Sequence, residues 1–268
     1  MPAATDIAFA LGVLALCGKR VPVSLKVFLL AVAIIDDLGA IVIIAAFYTS
    51  DLSTGSLTLS MLGFALAVSL NRMGIKAFAP YLLIGIFMWA CVLKSGIHAT
   101  LAGVLIALAI PMKDEDGDHS PLHRVEHGLH PWVAFLILPA FAFANAGVRL
   151  EGVSFSDFLA PLPLGIAAGL VIGKQIGVFG MSWVAIHTGV ASKPNGVGWL
   201  ELYGVACLTG IGFTMSLFIG SLAFSSDEMM NSVRLGVLSG SALSAVFGIL
   251  VLHMATRNRA PARLAQAG

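Results

Sequence analysis

The sequence predicts an all-α polytopic membrane protein, and three observations predict it. Of 268 residues, 58% are hydrophobic and 11% charged, with mean hydropathy +0.96, whereas soluble domains carry about 25% charged residues. Apolar runs recur along the whole chain between short polar turns, so the deficit of charge is global and not the mark of one anchor. Basic residues also alternate between dense and sparse connections, as in a chain that crosses a bilayer repeatedly. The net charge of +1 gives no reason to expect a nucleic-acid partner. Cys17, Cys91 and Cys207 sit in apolar runs without paired spacing and read as small buried hydrophobes.

The chain opens on "MPAATDIAFALGV", which has neither a basic n-region nor a cleavage site. Ile7 to Cys17 is too short to cross a bilayer, which takes about twenty residues. Thr5 and Asp6 are good N-cap residues, so the opening reads as a half-helix that starts at membrane depth after an unwound strand. The chain is thus expected to begin inside a membrane segment. Eight further segments follow, at roughly 23–49, 56–71, 78–94, 97–111, 131–147, 161–187, 200–224 and 233–254. All belong to one membrane domain, 1–268.

Charge tests that count. If every segment crosses, one side collects Lys19, Arg20, Lys26, Arg72, Lys76, Lys113, Arg124, Lys193, Arg257, Arg259 and Arg263; the other collects Lys94, Arg149 and Arg234. The rule that positive residues stay inside assigns the richer side, with the tail at 255–268, to the cytoplasm. The one long connection, "KDEDGDHSPLHRVEHGLHP", is read at 112–131 as a cytoplasmic loop leading into a short amphipathic helix. Its clustered acids and histidines also suit a cation-attracting, pH-responsive mouth. Composition leaves both readings open.

Four ionisable residues lie at membrane depth: Asp6, Asp36, Asp37 and Lys174. Asp36 and Asp37 fall at the middle of segment 23–49, and Lys174 at the middle of 161–187. A charge at a helix centre costs roughly 2.5–3.5 kcal/mol on insertion scales and normally faces a cavity or a partner. A structural ion pair accounts for one acid with Lys174 and leaves two acids unexplained. Adjacent helical side chains point about 100° apart, so Asp36 and Asp37 address different neighbours. Carboxylates held between burial and pairing can exchange a proton for a hard cation. The stretch "LTGIGFTMSLFIG" places Thr209, Gly210, Gly212, Thr214 and Ser216 in mid-span, compatible with either a broken helix or close helix packing. Gly165, Gly169, Gly173 and Gly177 recur every fourth residue and read as a packing face.

The stretches "ATDIAFALGVLALCGKRVP", "LKVFLLAVAIIDDLGAIVIIAAFYT", "LKSGIHATLAGV", "EHGLHPWVAFLILPAFAFANAGV", "LPLGIAAGLVIGKQIG" and "TGIGFTMSLFIGSLAF" span the chain almost end to end. Together they resemble the bacterial NhaA-type sodium–proton antiporters. The resemblance implies a partial inverted-repeat antiporter fold, with this chain as its C-terminal two-thirds, lacking the first three spans and half of the fourth. It implies a secondary transporter and not an enzyme, which exports sodium or lithium in exchange for protons by pH-regulated alternating access. Sodium and protons are its substrates, no resident cofactor is expected, and its setting is the bilayer of the bacterial inner membrane. The full-length parent is implied to be a homodimer. Asp37 is implied to be the principal cation and proton carboxylate, with Asp36 beside it and Thr5 as a nearby oxygen. Asp6 compensates half-helix ends, and Lys174 either pairs with Asp36 or balances helix termini. Gly210, Gly212, Thr214 and Ser216 match the broken-helix segment, and Glu126, His127, His130 and His98 match positions tied to pH response. Two other readings are a non-transporting fragment and an intramembrane aspartyl protease built on Asp6 with Asp37. Against the protease, Lys174 would hold acids ionised, and the sequence has no GxGD stretch.

Overall fold

A computed structural model describes residues 3–18, 21–47, 53–96, 99–112, 120–148, 154–224 and 226–257, and all regular structure among them is helical. In chain order the helices are α1 (Ile7–Leu16), α2 (Val23–Phe47), α3 (Thr54–Arg72), α4 (Phe78–Lys94), α5 (Thr100–Ala109) and α6 (Pro121–Asn145). They continue with α7 (Phe155–Phe158), α8 (Pro161–His187), α9 (Trp199–Leu208), α10 (Phe213–Ala223) and α11 (Asp227–Thr256). Each of the eight expected segments thus holds helix, with α9 and α10 sharing one. By length and composition, α3, α6, α8 and α11 are long and apolar enough to cross a membrane, and the bent pair α9–α10 makes up to five among the described residues. Helices α1, α4 and α5 are apolar but shorter.

Local chemistry sets several boundaries. Ser120 accepts the His123 N–H, and Pro121 opens α6 where a missing donor is harmless. Residues 113–119 of the acidic connection lie outside the described residues. From Pro121 the helix runs to Asn145, so the expected amphipathic helix and the segment after it form one continuous element. Pro131 removes a donor inside it, and Val133–Ile137 directly beyond takes π geometry. The tail beyond residue 257 is likewise outside the described residues; α11 itself ends at Thr256.

The chain divides into two compact units, one of residues 1–38 and 140–268 and one of residues 39–139. In the first, α11 packs along α8, α9 and α10. One part of its core gathers Ala10, Leu14, Leu25, Leu29, Leu208 and Leu252; another gathers Ile166, Leu170, Leu217 and Val233. Backbone contact brings α8 and α11 together, because a Cβ on Gly240 would lie 2.9 Å from Ala167 Cα. At this contact the close-packing glycines, Gly236 and Gly240, sit on α11. Among the described residues the Gly165, Gly169, Gly173 and Gly177 stripe is not a packing face: a Cβ there meets no atom within 4 Å, save Ala3 Cβ at 3.9 Å from the Gly169 position. Instead, Gly169–Gly173 and Gln175–Gly180 are π-helical, on either side of Lys174. Glycine tolerates a widened helical turn that bulkier side chains resist, and π segments are frequent at functional sites.

In the second unit α3, α4 and α5 pack together around Ala67, Tyr81, Met88, Val92 and Ala102. Tyr81 Oη donates to the Ile75 carbonyl at 2.9 Å, and Asn71 Nδ2 to the Ala109 carbonyl at 2.7 Å. Both units leave large apolar side chains exposed, including Ile35, Leu83, Phe135 and Phe143. Such surfaces suit contact with lipid.

Candidate functional site

The candidate site lies within the first unit and is built around a break in a helix. Helix α9 ends at Leu208 and α10 starts at Phe213, and their axes differ by 44°. The two glycines expected in a broken segment make this geometry feasible. A Cβ on Gly212 would lie 2.6 Å from the Ala4 carbonyl oxygen and 2.8 Å from Leu170 Cδ2, so only hydrogen fits. Both readings the sequence left open are met: the helix is broken, and its glycines are also closely packed.

The extended chain before α1 lies against that break. Asp6 N–H donates to the Ile211 carbonyl at 2.6 Å, Thr5 Oγ1 to the Thr209 carbonyl at 2.8 Å, and Ser216 Oγ to the Ala4 carbonyl at 3.1 Å. Backbone groups freed by non-helical geometry at membrane depth are thereby satisfied within the protein.

Asp6 closes two helix N-termini at once. Its Oδ1 accepts the Phe9 N–H at 3.0 Å, capping α1, and its Oδ2 accepts the Thr214 N–H at 2.8 Å, capping α10. The Thr214 hydroxyl also donates to Oδ2. At 1% exposure, this carboxylate faces two positive helix ends and has three donors on its two oxygens. A proton-sharing dyad of Asp6 with Asp37 is therefore not formed.

Asp36 is also occupied. Its Oδ2 receives Lys174 Nζ at 2.5 Å and the Thr5 N–H at 2.7 Å. Lys174 is 13% exposed and Asp36 is 28% exposed, so the pair is sheltered but not sealed. Of the two alternatives for Lys174, pairing with Asp36 is the one found. Beside Lys174, Gln175 Oε1 accepts from Tyr203 Oη at 2.7 Å.

Asp37 differs from both. Its Oδ1 is buried and has no hydrogen-bond partner among the described residues. The charges acting on it are those of Asp36, Asp6 and Lys174. A buried carboxylate oxygen without a donor calls for a proton or a hard cation. Among the described residues no group of three or more His, Cys, Asp or Glu is arranged to hold a resident metal ion.

The site thus unites Thr5, Asp6, Asp36, Lys174, Gly210, Gly212, Thr214 and Ser216, with Asp37 next in the chain and within their field. Glu126, His127 and His130 are not part of it: they are exposed on α6, in the second unit. There His123 Nδ1 lies 2.9 Å from Glu126 Oε2, and the His123 and His127 rings meet edge to face at 5.0 Å. His98 lies outside the described residues. Sequence reasoning missed Ser241, whose hydroxyl accepts the Gly212 N–H at 3.1 Å. The available signal was the pair Ser241 and Ser244, on one face of an apolar helix.

Comparison with known proteins adds a second line. The family model described as Na+/H+ antiporter 1 matches residues 1–252. A Na(+)/H(+) antiporter NhaA from Rhodospirillum rubrum is 60% identical over 97% of this chain and 67% of its own length. The Na(+)/H(+) antiporter NhaA 1 of Syntrophotalea carbinolica is 60% identical over 97% of this chain and 66% of that protein. A Pseudomonas putida Na(+)/H(+) antiporter NhaA is 56% identical over 96% and 66%. This chain therefore spans about two thirds of the length of the curated relatives it matches. Alignment across nearly all of this chain supports the family.

Proposed function

Because this chain belongs to the Na+/H+ antiporter 1 family, we propose that it carries out sodium–proton antiport at Asp37. The family consists of secondary transporters, and the apolar helices fit a multi-pass bacterial membrane protein. The observation that carries the proposal is the contrast between three neighbouring carboxylates. Asp6 is filled by helix-end donors and Asp36 by Lys174 with Thr5, while Asp37 keeps a buried oxygen with no hydrogen-bond partner among the described residues.

In this reading Asp37 alternates between a proton and a sodium ion, and one displaces the other. Asp36 beside it and the lone pairs of the Thr5 hydroxyl offer further oxygens to the cation, with lithium also accepted. Lys174 and Asp6 hold the remaining charge in balance, so that occupancy at Asp37 changes the net charge of the site. The break between α9 and α10 supplies the discontinuous backbone on which alternating access and a partial inverted repeat are built. Moving more protons inward than sodium ions outward, which would make the exchange electrogenic, requires a second proton carrier besides Asp37, and Asp36 is the adjacent carboxylate. Glu126, His127, His130 and His98 set its pH response. In the same reading the C-terminus lies in the cytoplasm at the inner membrane, which the excess of basic residues on one set of connections supports, and assembly as a homodimer belongs to the same proposal.

Everted membrane vesicles containing the protein test it. With an imposed inward-acid proton gradient, sodium or lithium should dissipate the gradient, and equimolar potassium should not. Equal responses to all three cations would refute sodium–proton exchange.

A further inference from the structure

We propose that Ser241 is a positioning residue for this exchange: its hydroxyl fixes the first turn of α10 and, through it, the frame that holds the aspartates. The inference rests on the antiport reading above. Gly212 is the N-cap residue of α10 and has no side chain with which to cap it. Its own N–H lies in the break, where no preceding helical carbonyl can serve it, and a buried N–H must find an acceptor. Ser241 of α11, 7% exposed, provides that acceptor at 3.1 Å.

Position matters here because Gly212 is confined on other sides by the Ala4 carbonyl and Leu170. From Gly212 a continuous set of contacts leads to the carboxylates. Two residues on, Thr214 donates its N–H to Asp6 at 2.8 Å. One residue before, the Ile211 carbonyl accepts the Asp6 N–H at 2.6 Å. Next to Asp6, the Thr5 N–H donates to Asp36 at 2.7 Å. A displaced Gly212 therefore shifts both donors and acceptors of the Thr5–Asp6 segment, and with them the oxygen set around Asp37.

The same helix contains its own control. Ser244, three residues further, is fully buried against Gly210, yet its hydroxyl has no hydrogen-bond partner among the described residues. Removing that hydroxyl deletes a group of the same size from the same environment without orphaning a backbone donor.

The test compares Ser241→Ala, Ser241→Thr and Ser244→Ala in the full chain, by sodium dependence of exchange in vesicles and by the sodium-induced rise in Tm of purified protein. Loss of an acceptor for a buried donor predicts an apparent sodium KM raised about tenfold in Ser241→Ala, with the rate at saturating sodium within about twofold. Ser241→Thr keeps the hydroxyl and should restore KM, and Ser244→Ala should match the unmodified protein. A wild-type KM and a wild-type sodium-induced Tm rise in Ser241→Ala would overturn the role. An equal KM rise in Ser244→Ala would overturn it too, by showing a general packing loss. If Ser241→Ala does not fold, Ser241→Cys, a weaker acceptor of similar shape, decides: an unchanged KM there also overturns the role. Failure of the unmodified protein to exchange sodium sinks the antiport reading together with this one, whereas exchange with unaltered Ser241 variants sinks only this one.

Discussion

Replacing Lys174 by Met removes the positive partner of Asp36 while preserving most of the apolar stem. At the 2.5 Å separation of Nζ and Oδ2, the direct attraction is about 7 kcal/mol at an effective dielectric constant of about 20. Desolvation of the two ions offsets most of this, so the pair itself contributes little net stability. Breaking it is another matter, because Asp36 would keep only the Thr5 N–H in a sheltered position. Loss of one partner of a buried pair costs about 3–5 kcal/mol; with Asp36 at 28% exposure, the lower end, about 3 kcal/mol, is expected. For a chain of this size that lowers Tm by about 6–12 °C. The assay is thermal unfolding in detergent of Lys174→Met, Asp36→Asn and the double variant. The double variant should be more stable than the sum of the singles predicts, with a coupling of about 2 kcal/mol. Strictly additive losses, or a Lys174→Met Tm within about 2 °C of the unmodified protein, would refute an energetically coupled pair.

Three other outcomes follow from the same geometry. Asp6→Ala uncaps α1 and α10 together and should destabilise by about 2–3 kcal/mol, with Asp6→Asn losing less, as read by chemical denaturation. Gly212→Ala drives a Cβ against the Ala4 carbonyl and Leu170, so its folded yield by size-exclusion chromatography should fall well below that of Gly39→Ala, which meets nothing within 4 Å. Glu126→Gln breaks a pair whose side chains are 65% exposed and should change stability by less than about 1 kcal/mol, while the pH profile of exchange shifts.

Much of this was legible because charge inside an apolar run is rare and costly. The run "AIIDDLGA" and the lone Lys174 pointed to each other before any contact was known, and divergent side-chain directions separated Asp36 from Asp37. Asp6 as a helix cap could be read because Asp before an apolar helix is a local signal. The glycines of "GIGF" marked the break for a similar local reason. What escaped were relations between distant segments. Nothing local to Gly165, Gly169, Gly173 and Gly177 distinguishes a packed stripe from π-helical turns, since both favour absent side chains. Gly236 and Gly240, which do touch α8, belong to a row of small residues on α11 at every fourth position, Gly236, Gly240, Ser244 and Gly248, a packing signal that the sequence carried and sequence reasoning missed. The reach of Asp6 to Thr214 spans most of the chain and follows from tertiary packing alone. Continuity of α6 through Pro131 was hidden too, because the polar composition of its first turns reads as loop.

The central claim is that Asp37, which alone among the three neighbouring aspartates of the site keeps a buried oxygen without a hydrogen-bond partner among the described residues, holds the exchanged ion. Sodium-driven proton movement by Asp37→Asn protein, measured in everted vesicles at matched amounts of folded protein, tests it most directly. The account predicts that exchange falls to the background of vesicles without the protein, while thermal stability stays within about 1 kcal/mol because no protein hydrogen bond to that oxygen is lost. Sodium-dependent proton movement persisting in that variant would contradict it.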